Sequence, residues 1–260
     1  MTIGFIGTGN MGGALIKALA PRYPLCAFNR GRDKLLRVCE VTGAVPMDSA
    51  EAVAAASDLL VLAVKPNVIP TVLEQLAPVV RPEAIVVSVA VSLPLSLYEK
   101  ALGHDRKIVR AMPNTPAAVG AGVTALCFGS ACTEADRALV SEVFSAAGLA
   151  EEVPESRMGS VSALTGSSPA YICMLIEAMA DAGVYQGIPR DQAIRMAAQA
   201  VLGTAKLVLE SGKHPEQLKD EVCSPGGTTI RGVAALEQRG FRGAILDALN
   251  ACADAAKDKG

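Results

Sequence analysis

Tryptophan is absent from the 260-residue chain, only five residues are Phe and only two are His. Half of the residues are nonetheless apolar. The core must therefore be assembled from Ala, Val, Leu and Ile, which suits helix-rich α/β packing better than a β-sandwich. The seven cysteines are scattered without a Cys-x-x-Cys pair, Cys127 and Cys132 standing closest together. Four suitable ligands do not fall near one another in sequence, which argues against a metal centre. The thiols read instead as small buried hydrophobes in a reducing compartment. Formal net charge is −2, and no block of like charges occurs. Binding to nucleic acid or to an anionic membrane surface through charge is therefore not expected. No uninterrupted apolar stretch approaches the roughly 18 residues of a membrane span. The first apolar run, Ile3 to Ile6, leads straight into a glycine loop, so cleavage of a signal peptide would remove the loop itself. These absences predict a cytoplasmic protein without bound metal.

The first half alternates short β-branched runs with amphipathic stretches. Strands are expected at Ile3 to Ile6, Leu25 to Phe28, Ala44-Val45, Leu59 to Val64, Ile85 to Val89, Ile108 to Met112 and Val123 to Phe128. Helices are expected from Met11 to Ala20 and from about Asp33 to Glu40, with Asp48 or Ser49 capping another whose first turn holds Glu51. Continuous apolar runs such as Leu59 to Val64 fit parallel strands buried on both faces. The alternation predicts right-handed βαβ units and a Rossmann-type doubly wound, mostly parallel sheet over residues 1–152. After about residue 150 strand signals stop. Pro169 and Pro189 bracket one helical segment, and Arg190 to Lys213 carries apolar residues at helical spacing until His214-Pro215 breaks it. Residues 153–260 are thus expected to form an all-α domain, small enough for a partner chain to complete it.

Gly7-Thr8-Gly9-Asn10-Met11-Gly12 satisfies G-x-G-x-x-G between a strand and a helix, the setting in which that otherwise weak pattern signifies a dinucleotide site. Gly7 permits the turn, Gly9 the approach of the pyrophosphate and Gly12 close helix–strand packing. The helix N-terminus supplies free N–H groups for the phosphates. After the second strand, where NAD-binding chains place Asp or Glu, this chain has Asn29-Arg30. These residues can bond and neutralise a 2′-phosphate, which favours NADPH while leaving NADH open; a solvated basic turn is the competing reading. Ala63-Val64-Lys65-Pro66, Ala90 and Met112-Pro113-Asn114 lie at later strand ends, where ligands of doubly wound sheets bind, and are the remaining candidates for cofactor contact. Lys65 is equally readable as a solvated side chain, and the Met112 to Pro116 stretch as a plain structural turn.

In the second half, Ser224-Pro225-Gly226-Gly227-Thr228-Thr229-Ile230 reads as an exposed helix start. Its N–H groups and the hydroxyls of Ser224, Thr228 and Thr229 would form an anion receptor without a charged side chain, fit for a small carboxylate. An ordinary helix cap is the alternative.

The chain resembles pyrroline-5-carboxylate reductases along nearly its whole length. The resemblance is carried by Phe5 to Gly12, Ala63 to Pro66, Val109 to Pro116, Ala163 to Tyr171 and Ser224 to Ile230. It implies reduction of 1-pyrroline-5-carboxylate to L-proline with NADPH or NADH, the last step of proline biosynthesis. It also implies a dimer interlocked through C-terminal helices, often built up into a decamer. By the same resemblance, Gly227, Thr228 and Thr229 hold the substrate carboxylate and ring, with Thr229 near the imine nitrogen; Ser224 and Gly226 belong to the same segment. The chain departs from the family at Ser168, where Gly is usual, and a Ser there would resist a positive φ.

Two rivals stand beside this reading. A β-hydroxyacid dehydrogenase also joins such a glycine loop to a helical domain, but that family needs a Lys with Asn four residues later. Here Lys206 is followed at that spacing by Glu210, and Lys213 by Gln217. The other rival is a dinucleotide sensor that binds NADPH without turnover.

Overall fold

The computed structural model describes residues 1–90 and 92–257, the last two by backbone only. The final three residues of the expected second domain lie outside the described part. The chain divides into two compact units, residues 1–166 with the end of the last helix from 253, and residues 167–252.

The first unit is built on eight strands: β1 (Ile3–Ile6), β2 (Leu25–Phe28), β3 (Val45–Pro46), β4 (Leu59–Leu62), β5 (Ile85–Ser88), β6 (Lys107–Pro113), β7 (Gly122–Phe128) and β8 (Gly148–Glu152). They form one sheet in the order 3-2-1-4-5-6-7-8. The first six run parallel, β7 runs against β6, and β8 lies parallel to β7. This is the expected doubly wound sheet, extended past β6. Successive strand residues point to opposite faces. Leu59 and Val61 accordingly enter one apolar cluster, Leu60 and Leu62 the other. Burial on both faces is why these strands read as continuous apolar runs.

Local signals placed most elements. The Ser49 hydroxyl accepts a 3.1 Å hydrogen bond from Ala52 N–H and caps the helix Ala50–Ala56. Two elements carried weaker signals. The helix Glu134–Ser145 begins at a capping box between Thr133 and Asp136. Strand β8 follows it at the sheet's edge, where Glu151 and Glu152 are exposed. An edge strand lacks the two-sided apolar pattern that marks its neighbours.

The second unit contains helices Ser168–Tyr185, Arg190–Ser211, Pro215–Glu221 and Thr228–Gln238, with most of Phe241–Lys257. Ser168 begins its helix without a positive φ; Ser92 is the one non-glycine residue with positive φ among the described residues. The departure at position 168 therefore brings no backbone strain. Ahead of it, Ser162–Ser167 forms a π-helical stretch.

Candidate active site

At the end of β1 the backbone turns through Gly7 at φ +106°, a region that L side chains rarely adopt. A Cβ there would also stand 2.4 Å from the Ala63 carbonyl oxygen. A Cβ at Gly12 would stand 2.2 Å from the Gly7 oxygen, so helix and strand meet as closely as expected. Gly9 differs: apart from its own chain neighbours, no atom of the described residues lies within 4 Å of a Cβ built on it. Gly9 is also the N-cap of helix Asn10–Leu19 and provides no side-chain cap, which leaves the first helical amides for an anion.

Asn29 ties this loop to the turn after β2. Its Oδ1 accepts from Thr8 N–H at 3.2 Å, and its Nδ2 donates to the Gly31 carbonyl at 3.0 Å. Thr8 is buried, and its hydroxyl has no hydrogen-bond partner among the described residues. A cavity of about 740 Å3 opens over these segments. Gly7, Gly9, Asn10 and Met11 line it from the first loop, Asn29 and Arg30 from the β2 turn, Ala63 to Pro66 from the end of β4, and Ala90 from the end of β5. Among the described residues three cations face it, Arg30, Lys34 and Lys65, and no carboxylate does. Arg32 is engaged elsewhere, 3.2 Å from Asp48.

These features suit a phosphorylated dinucleotide: a loop free of side chain at Gly9, a helix N-terminus, and positive charge without an opposing acid. Sequence reasoning missed Lys34, Thr71 and Gln75 in the cavity wall. Lys34 sits in the first turn of the helix Arg32–Thr42 and was within reach of the Arg30 argument. Thr71 and Gln75 lie four residues apart on helix Ile69–Leu76, whose apolar neighbours offered no cue.

The remaining candidates in this unit are distributed differently. Thr8 and Gly12 are buried in the loop's packing. Met112 lines a second, smaller cavity of about 270 Å3 that shares Ala90 with the first. Pro113 is buried and closes β6. Asn114 is 7% exposed, and its amide is engaged at both ends: Oδ1 accepts from Val123 N–H at 2.8 Å, while Nδ2 donates to the Thr165 carbonyl at 3.0 Å. It fastens the strand end rather than lining either cavity. Ala90 is positioned by Ser88, whose Oγ accepts from Ala90 N–H at 3.2 Å and lies 2.6 Å from the Tyr98 hydroxyl. Burial pushes the Tyr98 phenol above its ordinary pKa, against the lowering effect of the Ser88 bond, so it stays neutral near pH 7.

The second unit holds the other candidate segment. Its turn passes through Gly226 at φ +68°, and Gly227 N–H donates to the Ser224 carbonyl at 3.0 Å. Gly227 then caps helix Thr228–Gln238 without a side chain. Ser224, Thr228 and Thr229 are exposed, and no hydrogen bond among the described residues engages their hydroxyls. Three hydroxyls and free helical amides thus stand together at an open helix start, the arrangement that receives a small anion.

The family model described as pyrroline-5-carboxylate reductase dimerisation matches residues 155–259. A model described as NADP oxidoreductase, coenzyme F420-dependent, matches residues 2–92. Pyrroline-5-carboxylate reductase of Escherichia coli K12 is 45% identical over 255 residues, covering 96% of this chain and 95% of that one. Among solved structures, a pyrroline-5-carboxylate reductase from Coxiella burnetii superposes with a TM-score of 0.92 at 36% identity, covering 99% of this chain and 98% of its own. The Plasmodium falciparum pyrroline carboxylate reductase, solved with NADP bound, gives a TM-score of 0.87 at 30% identity, covering 100% of this chain and 98% of its own.

Proposed function

The chain belongs to the pyrroline-5-carboxylate reductase family, and from that premise we propose that it reduces the C=N bond of 1-pyrroline-5-carboxylate with NADPH or NADH to give L-proline, the last step of proline biosynthesis. The observation that carries the cofactor half is the cavity with three cations and no carboxylate among the described residues, and with open space at Gly9. Gly9, Asn10 and the amides of the following helix receive the pyrophosphate. Arg30 and Lys34 face the 2′-phosphate, which favours NADPH over NADH. Lys65, in the Ala63 to Pro66 segment, faces a ribose, and Ala90 and Met112 border the nicotinamide end. When bound, the reduced nicotinamide supplies the hydride.

The substrate half rests on Ser224 to Thr229. Ser224, Gly226, Gly227 and Thr228 receive the substrate carboxylate with amides and hydroxyls, without a charge that would also bind other anions. Thr229 bonds the ring nitrogen and orients the imine carbon for attack. A cyclic imine enters already protonated, so the site needs no strong acid, and positioning does most of the work. A Thr hydroxyl is a poor proton donor near neutral pH. Thr229→Ala should therefore slow turnover by roughly tenfold to a hundredfold without abolishing it.

The functional boundary is placed at 152/153, with residues 153–260 serving both substrate binding and dimerisation. The exposed Met174, Leu202, Leu209 and Leu246 support a dimer completed through these helices. Further assembly into a decamer is the finer form of the same reading. Seven cysteines, none in a disulfide, suit the cytoplasm. The dehydrogenase alternative is disfavoured by Lys206, which lies 3.6 Å from the exposed Glu210 with no Asn at that spacing. The test is to mix protein with 1-pyrroline-5-carboxylate and NADPH or NADH and follow loss of the reduced nicotinamide. Imine-dependent oxidation with proline as product is expected. No oxidation from a protein that binds NADPH would leave the dinucleotide site standing and remove the substrate.

A further inference from the structure

The smaller cavity enters that scheme only through Ala90 and Met112, yet its position gives it a larger part. The sheet order places β2, β1, β4, β5 and β6 side by side. A dinucleotide that starts at Arg30 after β2 and crosses the glycine loop after β1 reaches the ends of β5 and β6 with its nicotinamide. The two cavities meet there, at Ala90.

The wall of the smaller cavity is held by one carboxylate. Glu155 Oε1 accepts from Leu95 N–H at 2.7 Å and from Arg110 Nη1 at 2.6 Å. It thereby joins three segments: the start of helix Leu95–Leu102, strand β6, and the start of the 155–162 stretch. The Arg110 side chain is 11% exposed, and Glu155 is its one counter-charge among the described residues. Between Ala90 and Leu95, Ser92 holds φ +75°. A non-glycine residue persists in that region only when its surroundings over-determine it. On either side of Ser92, Ser88 Oγ accepts from Ala90 N–H and Glu155 accepts from Leu95 N–H.

We propose that Glu155 is a positioning residue for hydride transfer. Its Oε1 is committed to Leu95 N–H and Arg110 Nη1, so it acts through them. By holding Leu95 N–H it holds residues 92–95, part of the surface against which the nicotinamide rests, and Arg110 keeps the carboxylate aimed. The proposal builds on the nicotinamide-dependent reading above. Misplacement of reacting groups by about an ångström costs up to a hundredfold in rate.

The experiment compares wild type with Glu155→Ala, Glu155→Gln and Ser92→Gly. Affinities for NADP and for 2′,5′-ADP, which lacks the nicotinamide half, are measured by calorimetry. The isotope effect on turnover is measured with NADPH deuterated at C4. Glu155→Ala should bind 2′,5′-ADP like wild type, bind NADP several-fold more weakly and transfer hydride roughly tenfold to a hundredfold more slowly, with a larger isotope effect. Glu155→Gln keeps an oxygen for Leu95 and should recover part of the loss. Ser92→Gly loosens the same segment without touching the Arg110–Glu155 pair, so it should move turnover in the same direction even where Glu155→Ala folds poorly. Equal weakening of NADP and 2′,5′-ADP, or unchanged hydride transfer in Glu155→Gln and Ser92→Gly, would overturn the assignment. The binding comparison needs no imine turnover, so it stands apart from failure of the substrate reading.

Discussion

The two units bury their apolar residues by opposite routes. In the first, strand residues alternate between two clusters, and Phe5, Tyr98 and Phe144 are completely enclosed. In the second, the buried apolar residues are Ala180, Ala193, Ala197 and Leu218, while Met174, Tyr185, Leu202, Leu209 and Leu246 are each more than half exposed. The first unit therefore draws its stability from contacts within one chain. The second presents apolar side chains that one chain leaves uncovered, and an exposed apolar surface of this extent marks an interface. A unit completed by a partner chain has a stability that depends on protein concentration.

Breaking the interface should produce the largest effect. Leu202→Glu or Leu246→Glu places a charge on the outward apolar face, and light scattering should report a fall from two chains to one, with imine reduction lost. A dimer that survives both changes would show that the second unit is completed by some other surface. Next in size is Phe144→Ala, which removes a fully enclosed ring from the first unit at a cost of about 3–5 kcal/mol. Its urea midpoint should shift equally at low and high protein concentration; a concentration-dependent shift would erase the contrast between the units.

The smallest expected effect is at Asp136. Burial would raise its pKa, but the hydrogen bonds from Lys107 at 2.7 Å and from Thr133 outweigh that and hold it below the usual carboxylate value. A depressed folded pKa stabilises above the unfolded value, and that contribution is lost as pH falls through the folded one. Asp136→Asn should cost about 1–2 kcal/mol at neutral pH. The difference from wild type should shrink below about pH 4, as followed by denaturation at stepped pH.

What could be read from the sequence was local. The glycine loop, the Ser49 cap and the two-sided strands each declare themselves within a few residues. Strand β8 did not, because its edge position is set by pairing with β7, and Leu126 finds its partner in Glu152. The site divides in the same way. Arg30 was readable beside its strand, whereas Asn114 is committed to Val123 and Thr165, and Glu155 to Leu95 and Arg110. Those partnerships follow from sheet order, which spacing along the chain does not display. The compact units part at 166/167 rather than near 152 for a related reason: Met158 is buried in a core cluster of the sheet.

The side chain of Asn29 joins the glycine loop to the turn after β2, accepting from Thr8 and donating to Gly31. Such a joint restricts how the protein can evolve. A carboxylate at position 29, the simplest route towards NADH, would keep the acceptor for Thr8 but lose the donor to Gly31, disturbing both partners of the joint at once. Position 29 is therefore epistatic with its surroundings. Changes of cofactor preference in this lineage should accumulate at Arg30 and Lys34, which are free to vary one at a time.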